Sequence, residues 1–335
     1  MFFATLLWVM AATPLLGQRS EPHRSEEVTY RNAQDSMVLS ATLHLPGGDG
    51  PHPGVVLLSI AGTGPLVDEL TGRGYAVLTP VRRGFVDVEP LLQATFADLA
   101  GDVRAAIRYL GMRPDVRESA LGVVAQADDA PPAMLESVGS EAPVPLILMA
   151  PPAFPGTRLF HDEQHSLAQR DGAGPSQLEA LDRYVEAITG IVLSESTPFR
   201  RAYGLEGLRA ASDVELPRNA AFPADERQVD FFASPLWHDR LAFQPEAVFA
   251  GLRAPTLVLI GTDDPNTPLE EYLATVRRGL AGGTSYAVVC LVPGRTRHMF
   301  TDAGVHAIVS WLDGRLGAGD SGEALLDCLD ENTVG

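Results

Sequence analysis

Two loops, each following an apolar run, carry a carboxylate and an imidazole, two groups that acyl-transfer chemistry can use. The apolar run 256–260 leads into Gly261-Thr262-Asp263-Asp264-Pro265, and the apolar run Ala287–Val292 leads into Pro293-Gly294-Arg295-Thr296-Arg297-His298. Short continuous apolar runs read as strands covered on both faces. In open parallel sheets, ligands bind beyond the carboxyl ends of such strands. An acid and a histidine delivered there make a dyad: the carboxylate holds the imidazole's tautomer, and the imidazole takes a nucleophile's proton. Each alone has a plainer reading. An aspartate in a Gly-Thr-Asp-Asp-Pro loop is usually a turn former, and an isolated histidine is usually structural or exposed. Their arrival after successive strands favours the dyad.

The elements that must carry these loops are legible from periodicity. Residues 27–30 read as a short strand. Over 39–45, Leu39, Ala41, Leu43 and Leu45 alternate with Ser40, Thr42 and His44, the period of a strand with one wet face. Runs at 55–58, 76–78, 121–124, Leu146–Met149, 256–260 and Ala287–Val292 read as buried strands. Apolar residues spaced by three and four predict amphipathic helices over 95–110, 269–280 and 305–312. Strand and helix alternate, which predicts an α/β fold with a mostly parallel twisted sheet flanked by helices. Residues 151–244 break the rhythm, with a helical stretch at 178–192, repeated prolines and no buried-type strand. They read as a helical insertion, a cap, following the sixth strand and lying over one end of the sheet.

These patterns come with a resemblance. Residues 98–124 (DLAGDVRAAIRYLGMRPDVRESALGVV), 252–264 (LRAPTLVLIGTDD), 293–300 (PGRTRHMF) and 59–65 (SIAGTGP) resemble segments of the α/β-hydrolase superfamily, in its serine esterase and dienelactone-hydrolase-like branch. The resemblance covers about 26–316, weakly in the middle insertion. It implies a core over 26–150 and 245–316 with the cap over 151–244. It marks Asp264 rather than Asp263 as the acid, His298 as the base, and Gly62, Thr63 and Gly64 as oxyanion-loop or pocket residues. Arg83-Gly84 resembles a family turn, with Arg82 where an acidic residue is usual.

The family's Gly-x-Ser-x-Gly elbow is Ala125-Gln126-Ala127-Asp128-Asp129 here, so the nucleophile position falls on Ala127. A methyl group has no lone pair and cannot form an acyl-enzyme. Asp128 and Asp129 are expected to cap the next helix, and as negative charges to oppose an oxyanion at its start. The expected function is therefore that of a catalytically impaired or inactive carboxylic-ester hydrolase homologue that retains a pocket for a small apolar ester or acid. Two alternatives keep turnover. In one, Asp128 is a displaced nucleophile, as an aspartate is in haloalkane dehalogenases, although Gln126 precedes Ala127 and the register is off by one. In the other, Asp264 and His298 activate water. A third reading is a non-enzymatic interaction protein.

Composition bounds the remainder. The chain has 335 residues, 45% hydrophobic, long enough for one large α/β domain with an inserted subdomain. Its net charge of −18 argues against nucleic acid and anionic lipid as partners. All 25 basic residues are arginine. Residues 1–17 (MFFATLLWVMAATPLLG) are apolar, and too short for the roughly 20 residues of a membrane span. They read as a signal peptide for a secreted or periplasmic protein, a short N-terminal membrane anchor being the alternative. Residues 317–335 read as an acidic, flexible tail. There is no Walker loop, HExxH or dinucleotide fingerprint, so no cofactor and no metal site is expected. His161 and His165 share a helical face without an evident third ligand. Cys290 reads as a buried strand residue rather than as the partner of Cys328 in a disulfide, although an oxidising compartment would permit one.

Overall fold

The computed structural model describes residues 23–58, 63–211, 222–263, 268–284, 286–293, 301–317 and 333–334. The strands are β1 (Arg24–Arg31), β2 (Val38–Leu45), β3 (His52–Leu58), β4 (Ala76–Pro80), β5 (Val116–Gln126), β6 (Leu146–Met149), β7 (Thr256–Gly261), β8 (Ala287–Val292) and β9 (Thr333–Val334). They form one sheet in the order β1-β2-β4-β3-β5-β6-β7-β8-β9. β1 and β2 are antiparallel, and β2 runs antiparallel to β4. From β4 through β8 every pairing is parallel. β9 closes the far edge antiparallel to β8.

The burial pattern follows the sequence pattern. β6 and β7 are buried at every position, as strands covered on both faces must be. β2 alternates buried with more exposed positions, because one of its faces meets water.

The core helices are α1 (Gly64–Gly72), α2 (Glu89–Leu92), α3 (Phe96–Gly111) and α4 (Ala130–Gly139). α1 supplies Leu66, Val67 and Leu70 to the apolar layer on one face of the sheet. α3 and α4 supply Ala106, Leu110 and Met134 to the layer on the other. α3 begins where its sequence says it should: Thr95 and Asp98 satisfy each other's backbone N–H groups in a capping box.

Between β6 and β7 the chain forms α5 (Gly156–Arg170), α6 (Pro175–Ser194), α7 (Pro198–Ala211), α8 (Glu226–Ala233), α9 (Pro235–Ala242) and α10 (Pro245–Gly251). Helices α5 to α9 bury a third apolar cluster of their own, with Phe160, Leu181, Ile188, Phe232 and Trp237 among its members. Two further helices, α11 (Leu269–Ala281) and α12 (Asp302–Leu316), complete the core. α11 joins the α3/α4 layer through Val276 and Leu280, and α12 the α1 layer through Val309 and Leu312. The Asp239 carboxylate of α9 accepts the Phe96 N–H at 2.8 Å, and Arg158 of α5 pairs with Glu271 of α11. These bonds seat the helical insertion on the core.

Cys290 is buried in β8 as expected, but it is disulfide-bonded, which corrects the reading of it as a packing residue alone. The pairing of Thr333–Val334 with β8 brings the C-terminal segment to the sheet edge that holds Cys290, a long-range approach that sequence spacing does not show. Cys328, the only other cysteine, lies outside the described residues. Among the described residues no helix is long and apolar enough to cross a membrane.

Candidate functional site

β5 ends at Gln126 in extended conformation, and α4 begins at Ala130. The three residues between, Ala127–Asp129, make a single tight turn. Ala127 enters it at φ 49°, in the left-handed region. A side chain there costs about 1–2 kcal/mol relative to ordinary backbone. The strand reverses into a helix within three residues, and the residue that takes up the strain is Ala127, the one the resemblance matches to a nucleophile position. Ala125, two residues earlier, is fully buried, so only a small side chain fits there. Ala127→Gly is expected to stabilise the protein by about 0.5–1 kcal/mol in urea unfolding, because the strain relieved exceeds glycine's extra chain entropy. A destabilised variant would mean the turn is not strained.

The two aspartates after Ala127 do not do what their sequence position suggests. Asp129 occupies the N-cap position of α4 but makes no side-chain capping bond. Its Oδ1 instead accepts from Arg82 Nε at 3.1 Å and Nη2 at 2.6 Å. Asp128 lies 3.4 Å from Arg240 of α9. The expected pair of caps is thus a pair of ion pairs, and the expected unopposed negative charge is locally balanced. Arginine competes well for these carboxylates because its planar fork donates several hydrogen bonds at once. The first turn of α4 needs less help, since Pro131 and Pro132 remove two of the N–H groups a cap would serve. Burial pushes the Asp129 carboxyl above the usual carboxylate range, and Arg82 pulls it back only in part.

Arg82 is followed by a second, deeper arginine. Arg83 donates through Nε and Nη2 to Asp102 at 2.9 and 2.6 Å, and through Nη1 to Asp35 at 2.6 Å. Asn32 adds a bond to Asp102 at 2.8 Å. This network ties the turn after β4 to α3 and to the loop between β1 and β2. Its donors are spent on the protein, so Arg83 is structural.

Above these groups lies a cavity of about 300 Å³, at the lower end of sizes that hold small ligands. It sits between the carboxyl ends of β3, β4 and β5 and the inserted helices. Phe96, Leu159, Phe231, Trp237 and Phe243 give it apolar walls, while Arg82, Arg240, Asp128 and Asp129 supply charge. The wall residues of α8 and α9 could not be assigned to a pocket from sequence, because their apolar spacing is equally that of a packed helix.

The other expected site residues divide into two groups. Thr63 and Gly64 are described: Thr63 precedes α1, makes no side-chain capping bond, and accepts the Val67 N–H at 2.9 Å through its carbonyl. Gly62, Asp264 and His298 lie outside the described residues. The strands leading to Asp264 and His298 are described, and their last residues, Gly261 and Val292, pair in register. Through β6 they share the sheet edge at which β5 reaches Gln126. Asp263 is exposed and accepts a hydrogen bond from Thr262 Oγ1 at 2.8 Å, as a turn former does.

His161 sits between Asp162 and Asp182 at 3.2 and 3.0 Å, stacked on His165. Among the described residues no cluster of His, Cys, Asp or Glu is arranged to hold a metal ion.

No protein-family model matches the chain, and no curated protein matches it in sequence. Solved structures do match. A 2,6-dihydroxy-pseudo-oxynicotine hydrolase aligns at TM-score 0.53 with 16% identity, over 89% of this chain and 69% of its own. An esterase from Pyrococcus furiosus aligns at 0.56 with 13% identity, over 88% and 92%. An α/β-hydrolase from Penicillium aligns at 0.56 with 15% identity, over 88% and 99%. At such identities the likeness is one of fold, and the fold is that of the α/β-hydrolases.

Proposed function

We propose that this α/β-hydrolase-fold chain is a ligand-binding homologue of carboxylic-ester hydrolases that does not form an acyl-enzyme. One observation carries the reading: the strained residue of the β5–α4 turn, with φ 49°, is an alanine. Attack on a carbonyl from that point needs a lone pair, and a methyl group has none. The cavity next to the turn supports retained binding of a small, mostly apolar molecule.

Asp128 is a poor substitute nucleophile. It stands one residue past the strained position, and its partner is the Arg240 guanidinium. Export through the leader 1–17 belongs to the same proposal. The disulfide at Cys290 supports it, because such bonds persist in oxidising compartments.

The test is hydrolysis of p-nitrophenyl acetate and butyrate by the wild type, His298→Ala and Asp128→Ala. All three are expected to give the same rate, that of a protein surface without a site. Wild-type turnover that vanishes in His298→Ala would establish an active hydrolase with displaced chemistry. Turnover that vanishes only in Asp128→Ala would place the nucleophile there.

A further inference from the structure

The charged groups around the cavity differ in how fully the protein uses them. Asp102 receives the Nε–Nη2 edge of Arg83 and the Asn32 amide. Asp129 receives two bonds from Arg82. Arg240 stands apart. Among the described residues its one ion-pair contact is with Asp128, through a single nitrogen at 3.4 Å, with the arginine 40% and the aspartate 61% exposed. An ion pair that long, that exposed and held by one atom contributes little, so another anion can displace Asp128 at small cost.

Arg240 is nonetheless held in place. Its guanidinium carbon lies 5.4 Å from the Trp237 ring centre, within cation–π range. Its backbone is packed against Gly156. Trp237, also on the cavity wall, buries its indole N–H with no acceptor among the described residues. The cap side of the cavity therefore offers one accessible, weakly paired cation, the Arg240 guanidinium, above apolar walls.

We propose that the cavity selects apolar molecules ending in a carboxylate, and that Arg240 binds that carboxylate after Asp128 swings into solvent. The planar guanidinium matches a carboxylate's two oxygens, whereas it has no acceptor for an amine or ammonium. This inference rests on the ligand-binding reading above and adds the chemical class of ligand and the residue that reads it.

The test measures binding by calorimetry of 4-phenylbutyrate and its isosteric amide, and of hexanoate and hexanamide. Each acid is expected to bind at least about tenfold more tightly than its amide, the range of a charge-assisted hydrogen bond. In Arg240→Gln the acid and amide should bind alike. In Asp128→Asn, which removes the competing carboxylate and leaves Arg240 intact, the acid should bind several-fold more tightly while the amide is unchanged.

Equal binding of acid and amide by the wild type would overturn the proposal, as would an acid preference that survives Arg240→Gln, or an acid affinity that does not rise in Asp128→Asn. Absence of binding by both probes would overturn it too. None of these outcomes alters the ester-hydrolysis assay, so failure here is distinct from failure of the non-catalytic reading.

Discussion

Replacing Arg83 by methionine is expected to cost about 3–5 kcal/mol of folding stability, the range for removing one partner of a buried ion pair. Arg83 is 9% exposed and faces two carboxylates, Asp102 and Asp35, each at 2.6 Å. Methionine fills much of the volume but leaves both carboxylates in a half-buried site without a countercharge. The loss should appear in the midpoint of urea unfolding at pH 7.

The penalty has a defined pH dependence. Burial alone would raise the Asp35 carboxyl, but the Met37 N–H and the Arg83 guanidinium outweigh it and hold it below the usual range. A carboxyl depressed in the folded state stabilises the fold above its unfolded value and loses that contribution as pH falls through the folded one. The gap between wild type and Arg83→Met should therefore be full at neutral pH and narrow below about pH 4, where free aspartate protonates. A loss under about 1 kcal/mol at pH 7 would mean that the network contributes no more than an exposed ion pair does.

Gly156→Ala is the second large effect. A β-carbon at Gly156 would lie 1.7 Å from the Arg240 carbonyl oxygen, 2.8 Å from its carbon and 2.9 Å from the Leu241 carbonyl oxygen. All three are backbone atoms, so no side-chain rotation relieves the clash. Gly156 also donates its N–H to the Phe243 carbonyl at 3.0 Å, which fixes the start of α5 on the end of α9. Overpacking of this kind costs about 3 kcal/mol or more. It also moves α9, whose Trp237 and Arg240 form one wall of the cavity. Gly156→Ala should thus unfold at lower urea, become sensitive to protease within 156–242, and bind 4-phenylbutyrate weakly. Unchanged stability and binding would show that α9 can shift without consequence.

The sheet was readable because its strands advertise themselves. Leu146–Met149 and Ala287–Val292 are apolar runs whose bounds coincide with β6 and β8. The start of α4 was readable too, because Pro131-Pro132 suits the first turn of a helix, but the capping role expected of Asp128 and Asp129 was not what the structure shows.

The resemblance marked Ala127 as the nucleophile position, and the structure places Ala127 at a left-handed φ in the β5–α4 turn. The environment of that turn was not reachable. Arg82 and Asp129 are 47 residues apart, and Arg240 meets Asp128 only because the inserted helices fold back over the sheet. Periodicity reports which face of an element is apolar. It carries no signal for pairing between distant charges, nor for the approach of the C-terminal segment to β8.

The most direct measurement is the intact mass of the wild-type protein after incubation with p-nitrophenyl butyrate and, separately, with a fluorophosphonate, followed by peptide mapping across residues 116–139. The absence of lysine keeps side-chain amines from obscuring the result. An unmodified peptide is expected with both reagents, because Ala127 offers no atom to carry an acyl or phosphonyl group. A butyryl or phosphonyl adduct on any residue of the turn 125–129 would contradict the non-catalytic reading and identify the nucleophile in the same experiment.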